Sequence, residues 1–288
     1  MLISRTLIDA ATAANLPADE VLFVDCRFDL VDASKGDRDY AESHIPGAVR
    51  ADLDRELADM PTPTPVDERG RHPLPHRDAF EAFLSRIGWR PDVQVVAYDG
   101  AGGALAAARF WWLARLAGLD NVAVLDGGWP AWLAAKLPVD SAVPTRAPTS
   151  VEACFDSSGM VSVDELTTGL TSGRIVLLDA RATPRYRGEV EPLDPVAGHV
   201  PGARNRPFVD NLDAHGFFRR PEELRKAFEA IIGPHNAEEV VHMCGSGVTA
   251  CHNLLAMEYA GLCGSRLFAP SWSGWVADRS HPVTTGDH

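Results

Sequence analysis

The sequence predicts an α/β fold that is formed twice along the chain, each copy being a mostly parallel sheet flanked by helices. Three observations predict it: an internal repeat covers both halves, short apolar runs end in acidic residues, and these runs alternate with segments of helical pattern. Apolar runs without strict alternation are typical of strands buried on both faces, and their alternation with helices is typical of parallel sheets. The 288 residues also suffice for two domains, since one domain commonly takes about 150 residues.

The repeat begins with an apolar run that ends in an acid and is followed by a His-x-Pro-Gly-Ala segment. In the first half, residues 21–27 (VLFVDCR) precede His44 in the segment HIPGA. In the second half, residues 175–181 (IVLLDAR) precede His199 in the segment HVPGA at nearly the same spacing. Matched segments at matched spacing predict a duplicated domain. Because both halves carry the histidine at the start of a Pro-Gly turn, we expect structural roles for His44 and His199.

The repeat continues through a second strand and a glycine-rich loop. Residues 93–98 (VQVVAY) lead to Asp99 and then to an apolar helix, and residues 240–243 (VVHM) lead to Cys244 and a second helix. Each half then ends with a pair of tryptophans, for which we expect packing roles. The two halves therefore differ at one matched position, where the first has an acid and the second has a thiol.

The domain boundaries follow from composition. Residues 138–149 are rich in Pro, Ser and Thr and lack helix signals, as is typical of an extended linker. We predict a non-catalytic first domain at 1–140, a linker at 141–156 and a catalytic second domain at 157–288.

Bulk properties exclude several classes of partner. A net charge of −13 argues against a nucleic acid or an anionic membrane surface. No secretory signal and no apolar run of the roughly 20 residues that span a bilayer are visible. The odd number of cysteines and the absence of a CxxC pair favour reduced thiols over a disulfide framework. These features predict a cytoplasmic protein; the cysteines are Cys26, Cys154, Cys244, Cys251 and Cys263.

Cys244 is the candidate nucleophile. The segment 244–249 (CGSGVT) joins a predicted strand to a predicted helix. Two glycines allow a tight loop whose N–H groups point inward, and the helix adds the positive end of its dipole. This setting stabilises a thiolate or a persulfide anion. The alternative is a buried cysteine that only fills the core.

The sequence of this loop allows three other interpretations. The pattern GxGxxA at 245–250 matches a dinucleotide-binding fingerprint, but no acid ends a strand about 20 residues later. A cysteine-dependent phosphatase needs an arginine that closes the loop, and Thr249 or Ala250 stands there. A zinc site from His242, Cys244, Cys251 and His252 lacks the usual paired spacing. We therefore predict neither a metal nor a cofactor.

Taken together, the two His-x-Pro-Gly-Ala segments, the tryptophan pairs, the linker and the loop at 244–249 resemble the tandem rhodanese family over nearly the whole chain. The loop looks like the active loop of 3-mercaptopyruvate sulfurtransferases. Thiosulfate-specific relatives carry basic residues just after the cysteine, whereas Gly245 and Ser246 are neutral. The resemblance implies a persulfide on Cys244, with Gly245, Gly247, Val248 and Thr249 around the bound sulfur.

The resemblance also implies further site residues. Arg185, in the segment 183–188 (TPRYRG), matches the arginine that binds the donor carboxylate. Ser246, His72 and Asp54 match a proton-relay set of serine, histidine and acid. For Arg185, His72 and Asp54 the alternative is an ordinary surface or loop residue.

Two departures from the family pattern stand out. Mercaptopyruvate-specific relatives carry a second arginine after a Glu-Pro pair, whereas this chain has Leu193 and Asp194 after its Glu-Pro; Arg187 or Arg204 could substitute. Family members also commonly carry Asp-Gly before the Ser-Trp, where this chain has Ala269 and Pro270.

The resemblance thus implies a sulfurtransferase that moves sulfur from 3-mercaptopyruvate through Cys244 to cyanide or to a thiol acceptor such as a thioredoxin-like protein. The alternatives are a thiosulfate sulfurtransferase, a persulfide carrier without turnover, and the phosphatase considered above. Two-step nucleophilic catalysis implies ping-pong kinetics.

Overall fold

The computed structural model describes residues 3–59 and 66–287. Its contacts divide the chain into two compact units. Unit 1 comprises residues 3–59, 74–156 and 214–218, and unit 2 comprises residues 66–73, 157–213 and 219–287. Along the chain, the longest part of unit 1 ends at residue 156 and unit 2 follows it. The segment predicted as a linker, residues 141–156, therefore belongs to unit 1. Each unit also includes one short segment from the opposite half of the sequence.

Unit 1 is an α/β domain with a parallel sheet. Its strands are β1 (Leu7–Ile8), β2 (Val21–Asp25), β3 (Val49–Arg50), β4 (Gln94–Tyr98) and β5 (Val122–Leu125). Its helices are α1 (Ala10–Ala14), α2 (Lys35–Glu42), α3 (Arg77–Arg86), α4 (Ala107–Leu116) and α5 (Gly128–Ala134). The strand order is β1-β5-β4-β2-β3, and every pairing is parallel. All residues of β2 and β4 are buried, which explains their continuous apolar character.

Unit 2 repeats this architecture. Its strands are β6 (Val176–Asp179), β7 (Arg204–Asn205), β8 (Val240–Met243) and β9 (Arg266–Leu267). Its helices are α6 (Val163–Thr171), α7 (Thr183–Tyr186), α8 (Pro221–Ile232), α9 (Ala250–Tyr259) and α10 (Ser271–Trp275). The parallel strands lie in the order β7-β6-β8-β9, so β8 is an interior strand. The predicted α/β fold with two copies of a parallel sheet is confirmed.

The repeated sequence segments form the same local structure in both units. Asp25 ends β2 and accepts hydrogen bonds from Nε and Nη2 of Arg27 at 2.9 and 2.6 Å. Asp179 ends β6 and accepts the equivalent bonds from Arg181 at 3.0 and 2.7 Å. In each unit the guanidinium carbon lies 4.6 Å from the ring centre of the first tryptophan of the pair. The repeated Asp-x-Arg and tryptophan segments thus form one buried packing unit in each domain.

The two repeated histidines have matching internal contacts. Nδ1 of His44 lies 2.7 Å from the carbonyl oxygen of Tyr40, and Nδ1 of His199 lies 2.8 Å from that of Tyr186. Each imidazole also stacks on the ring of the same tyrosine. Both histidines are fully buried, so their contacts are those of structural side chains.

Each unit has its own hydrophobic core. In unit 1 the core includes Phe23, Tyr98 and Trp132, and in unit 2 it includes Phe268, Trp272 and Trp275. Among residues 3–59 and 66–287, no helix combines the length and the apolar character needed to cross a bilayer.

Candidate functional site

Cys244 lies directly after β8, at the carboxyl end of an interior parallel strand. This is the edge of an open α/β sheet where ligands bind. The thiol residue is buried, and the loop that follows it leads into α9. The backbone of this loop turns sharply at Gly247, whose φ of 76° lies in the left-handed region that favours glycine.

The short helix α10 holds the start of this loop. The N–H of Cys244 donates to Oγ of Ser271 at 3.1 Å, and the carbonyl of Cys244 accepts from the N–H of Trp272 at 3.0 Å. The carbonyl of Gly245 accepts from the N–H of Ser273 at 2.9 Å. Ser271 has a φ of 54°, an uncommon value for a residue with a side chain. The second tryptophan segment therefore fixes the backbone on which the thiol stands.

The equivalent loop of unit 1 encloses an anion of its own. The carboxylate of Asp99 accepts four backbone hydrogen bonds, two on each oxygen, from the N–H groups of Ala101, Gly103, Leu105 and Ala107. Asp99 is fully buried, and burial raises the pKa of its carboxyl despite the four donors. The strand-to-helix loop of this fold thus forms a nest of N–H groups that binds a negative charge.

In unit 2 the matched position carries the thiol of Cys244 in place of a carboxylate. Within the described part of the chain, the N–H groups of Gly245, Ser246, Val248 and Thr249 donate no hydrogen bond. These residues belong to the predicted sulfur-binding loop. Their arrangement resembles a nest whose anion would be the sulfur carried by the cysteine.

Ser246 and His72 lie together in unit 2. Nδ1 of His72 is 2.7 Å from Oγ of Ser246, and both residues are buried. The third member of the predicted relay, Asp54, lies in unit 1, where its N–H donates to Oδ1 of Asp52 at 3.0 Å. The relay role of Asp54 stays a prediction. Part of the proline-rich segment before His72, residues 60–65, lies outside the described residues.

Arg185 lies in the short helix α7 and is held by an acid on one side. Its Nε and Nη2 atoms donate to the carboxylate of Glu191 at 3.2 and 2.7 Å. Although burial would raise it, the hydrogen bonds from Arg185 and from the N–H of Leu193 hold the pKa of Glu191 below its usual value. The end of the guanidinium faces the loop, since a Cβ atom built at Gly245 would lie 3.4 Å from Nη1 and 3.6 Å from Nη2 of Arg185.

A second arginine that the sequence reasoning missed lies beside Arg185. Nη1 of Arg71 donates to Oδ1 of Asp194 at 2.6 Å, and Oδ2 of the same carboxylate accepts from Nη2 of Arg185 at 3.3 Å. Nη2 of Arg71 would also lie 3.4 Å from a Cβ atom at Gly245. The only signal in the sequence was its place next to His72, because the segment 66–73 lies far from the second half in sequence.

The two arginines proposed as substitutes have other partners. Arg187 pairs with Asp287 and lies 3.8 Å from Glu189, and Arg204 donates to the carbonyl of Ile231. These contacts join Arg187 and Arg204 to surface groups of unit 2.

The remaining cysteines and histidines have other surroundings. Cys26 is buried in unit 1, where burial raises the pKa of its thiol well above the usual value. Cys251 is buried at the start of α9 with its thiol 3.4 Å from the carbonyl oxygen of Gly247. Cys154 and Cys263 are exposed. His242 is fully buried with Nε2 3.2 Å from Sδ of Met257.

Over the described ranges, no group of three or more His, Cys, Asp or Glu side chains is arranged to hold a metal ion.

Comparison with known proteins finds a matching family model, similar sequences and similar solved structures. The family model for the rhodanese-like domain matches residues 9–135 and again residues 162–278. The chain is 46% identical over 275 residues to a Pseudomonas aeruginosa protein named "Probable 3-mercaptopyruvate sulfurtransferase", covering 96% of each chain. It is 34% identical over 251 residues to the thiosulfate sulfurtransferase of Bos taurus, covering 86% of this chain and 82% of that one. The solved structure of 3-mercaptopyruvate sulfurtransferase from Leishmania major matches with a TM-score of 0.79 at 30% identity, covering 93% of this chain and 73% of that one.

Proposed function

Because this chain belongs to the rhodanese family, with two tandem copies of the domain, we propose that it is a sulfurtransferase in which Cys244 carries the sulfur. The proposed donor is 3-mercaptopyruvate, and the proposed acceptors are cyanide or a thiol. The observation that carries this proposal is the position of Cys244 at the strand end, with the Ser246–His72 pair and two guanidinium groups around its loop.

The first half-reaction follows from these groups. The Cys244 thiolate attacks the sulfur of 3-mercaptopyruvate, the carbon–sulfur bond breaks, and its electron pair leaves on the enolate of pyruvate. The thiol proton of the donor passes to the Ser246–His72 pair, and a proton is returned to the enolate carbon to give pyruvate. The persulfide remains on Cys244 as an anion, and the N–H groups of residues 245–249 hold its charge.

The second half-reaction regenerates the enzyme. A thiolate of the acceptor, or cyanide, attacks the outer sulfur, the sulfur–sulfur bond breaks, and its electron pair returns to Cys244. No external oxidant or reductant is required in either step. A thioredoxin-like protein is the proposed type of protein acceptor.

Mass spectrometry tests the carrier role directly. After exposure to 3-mercaptopyruvate, the peptide containing Cys244 should gain about 32 Da, the mass of one sulfur atom. Cys244→Ser should abolish turnover and leave the fold unchanged. Appreciable residual activity in that variant would overturn the assignment, and loading without repeated turnover would indicate a carrier.

Thiosulfate is the second candidate donor. The family includes a thiosulfate sulfurtransferase among the matched relatives, and the two arginines facing Gly245 bring positive charge to a loop that is neutral by itself. Positive charge suits a dianion as well as a carboxylate. Comparing kcat/KM for the two donors, with cyanide as the common acceptor, decides between them.

We also propose that the protein acts in the cytoplasm without a bound cofactor. The odd number of cysteines and the absence of a CxxC pair support this location.

A further inference from the structure

The segment 66–73 lies against α10 and the turn before it. The N–H of Arg71 donates to Oγ of Ser273 at 3.0 Å. A Cβ atom at Gly70 would lie 2.4 Å from the carbonyl oxygen of Pro270, and one at Gly274 would lie 2.7 Å from that of Glu68. These approaches require glycine on both sides of the contact. The same turn that holds the Cys244 loop therefore also fixes the backbone of Arg71.

The guanidinium groups of Arg71 and Arg185 are joined through one carboxylate. Asp194 bridges them, with Oδ1 2.6 Å from Arg71 and Oδ2 3.3 Å from Arg185. The side chain of Asp194 is 3% exposed, and those of the arginines are 18% and 19% exposed. Two like charges approach closely only where an anion lies between them, so Asp194 is what holds the pair together.

Both arginines of the bridge also face the loop, and Nη2 of Arg185, which contacts Asp194, would lie 3.6 Å from a Cβ atom at Gly245. Nη1 of Arg185 and Nη2 of Arg71 would each lie 3.4 Å from a Cβ atom at Gly245. Two guanidinium nitrogens at the same distance from one point match the two oxygens of a carboxylate. That point is the Cβ position of Gly245, the residue that follows Cys244.

On the basis of the proposed sulfur transfer, we propose that Arg71 is the second donor-binding residue and sets specificity for a 2-oxo acid whose sulfur is on the adjacent carbon. Arg71 and Arg185 each bind one oxygen of the donor carboxylate, and Asp194 is a positioning residue that stays in place. Arg71 thus supplies the charge that the Glu191-Pro192-Leu193 segment lacks. One short segment then carries both a carboxylate ligand, Arg71, and the relay histidine, His72.

The test compares Arg71→Ala with Arg71→Lys and with Arg69→Ala. Arg69 is the matched control, because it lies on the same segment with its side chain 51% exposed and paired with Asp67. We expect Arg71→Ala to raise KM for 3-mercaptopyruvate about 10- to 100-fold with a smaller change in kcat, since a charge-assisted hydrogen bond is lost from substrate binding. Arg71→Lys should restore part of the loss, and Arg69→Ala should leave KM unchanged.

Inhibition by pyruvate and sulfur loading from inorganic polysulfide complete the design. Pyruvate carries the carboxylate without the sulfur, so its inhibition constant should rise with KM in Arg71→Ala. Polysulfide is an anion without a carboxylate, so the rate at which it loads Cys244 should fall much less in Arg71→Ala than kcat/KM for 3-mercaptopyruvate does.

Each result decides one point. An unchanged KM in Arg71→Ala overturns the proposal, and so does an equal loss of polysulfide loading, which would mean that Arg71 only supports the loop. If the parent protein turns over thiosulfate and not 3-mercaptopyruvate, the proposed donor fails, and with it the 2-oxo-acid specificity assigned to Arg71.

Discussion

Nδ1 of His72 lies 2.7 Å from Oγ of Ser246, although the two residues are 174 positions apart in the sequence. Both are buried, and Ser246 is two residues after Cys244. A hydroxyl paired with an imidazole can pass a proton in either direction, because the histidine tautomer decides which atom donates. The pair therefore lies where the donor's thiol proton has to be handled.

We predict that His72→Gln and Ser246→Ala each slow persulfide formation from 3-mercaptopyruvate about 100-fold, the usual contribution of positioned acid–base groups. The double variant should be no slower than the slower single variant, since the two residues act as one unit. Single-turnover loading of Cys244, followed by rapid quench and mass spectrometry, measures this. Fully multiplicative losses would mean that the residues act independently.

Replacing Gly245 by alanine tests the space between the loop and the arginines. The new Cβ atom would be 3.4 Å from Arg71 and from Arg185, so we expect a several-fold rise in KM for the donor. Gly100→Ala is the matched control, because it follows Asp99 in the equivalent loop and its Cβ atom would meet nothing within 4 Å. The free energy of unfolding of each variant should lie within about 1 kcal/mol of that of the parent protein. Equal KM values for the two variants would contradict this account of the loop.

Ser271 combines a left-handed backbone with a hydrogen bond to the N–H of Cys244. Ser271→Ala loses the acceptor and keeps the unfavourable φ, whereas Ser271→Gly loses the acceptor and relieves the backbone. We expect the free energy of unfolding to fall by about 1–3 kcal/mol in the alanine variant and by less in the glycine variant. Denaturant unfolding measures both, and a glycine variant less stable than the alanine variant would refute the assignment of strain.

His242 makes the protein sensitive to acid. Burial lowers the pKa of His242 to about 3, whereas an unfolded histidine titrates near 6.5. Between these values the unfolded chain binds the extra proton, so the free energy of unfolding falls as the pH drops from about 6.5 toward 3. We predict that His242→Leu weakens this dependence, as measured by urea unfolding at several pH values.

The exposed His76, whose side chain is 82% exposed, provides the control for this experiment. His76→Gln should leave the pH dependence of unfolding as it is in the parent protein. If His242→Leu and the parent protein lost stability in parallel below pH 6.5, His242 would not be the group responsible.

Much of the fold could be predicted because its signals are local. The runs at 21–25 and 240–243 are strands in which every residue is buried. Burial on both faces favours apolar residues at most positions, and only Asp25 and His242 depart from this pattern. The repeated Asp-x-Arg and His-x-Pro-Gly-Ala segments could be matched because each forms its contacts within one domain.

The electrostatic character of the site could not be predicted in this way. Gly245 and Ser246 suggested a neutral loop, yet Arg71 and Arg185 both face Gly245. The expected second arginine was sought near Glu191, within the same half of the sequence. It was not found there because a charge acts through space, and the segment that carries Arg71 reaches unit 2 from the first half.

The sequence by itself determined the duplicated α/β architecture, the family and the position of Cys244 between a strand and a helix, because hydrophobic pattern and glycine placement act over neighbouring residues. The family resemblance grouped His72 with Ser246, and the tertiary structure places them 2.7 Å apart. Only the tertiary structure decided that Asp194 bridges Arg71 and Arg185. Those contacts depend on the path of the segment 66–73, which is fixed by close backbone packing at Gly70 and Gly274. Packing of this kind joins residues far apart in the chain, and it leaves no periodic pattern in the sequence.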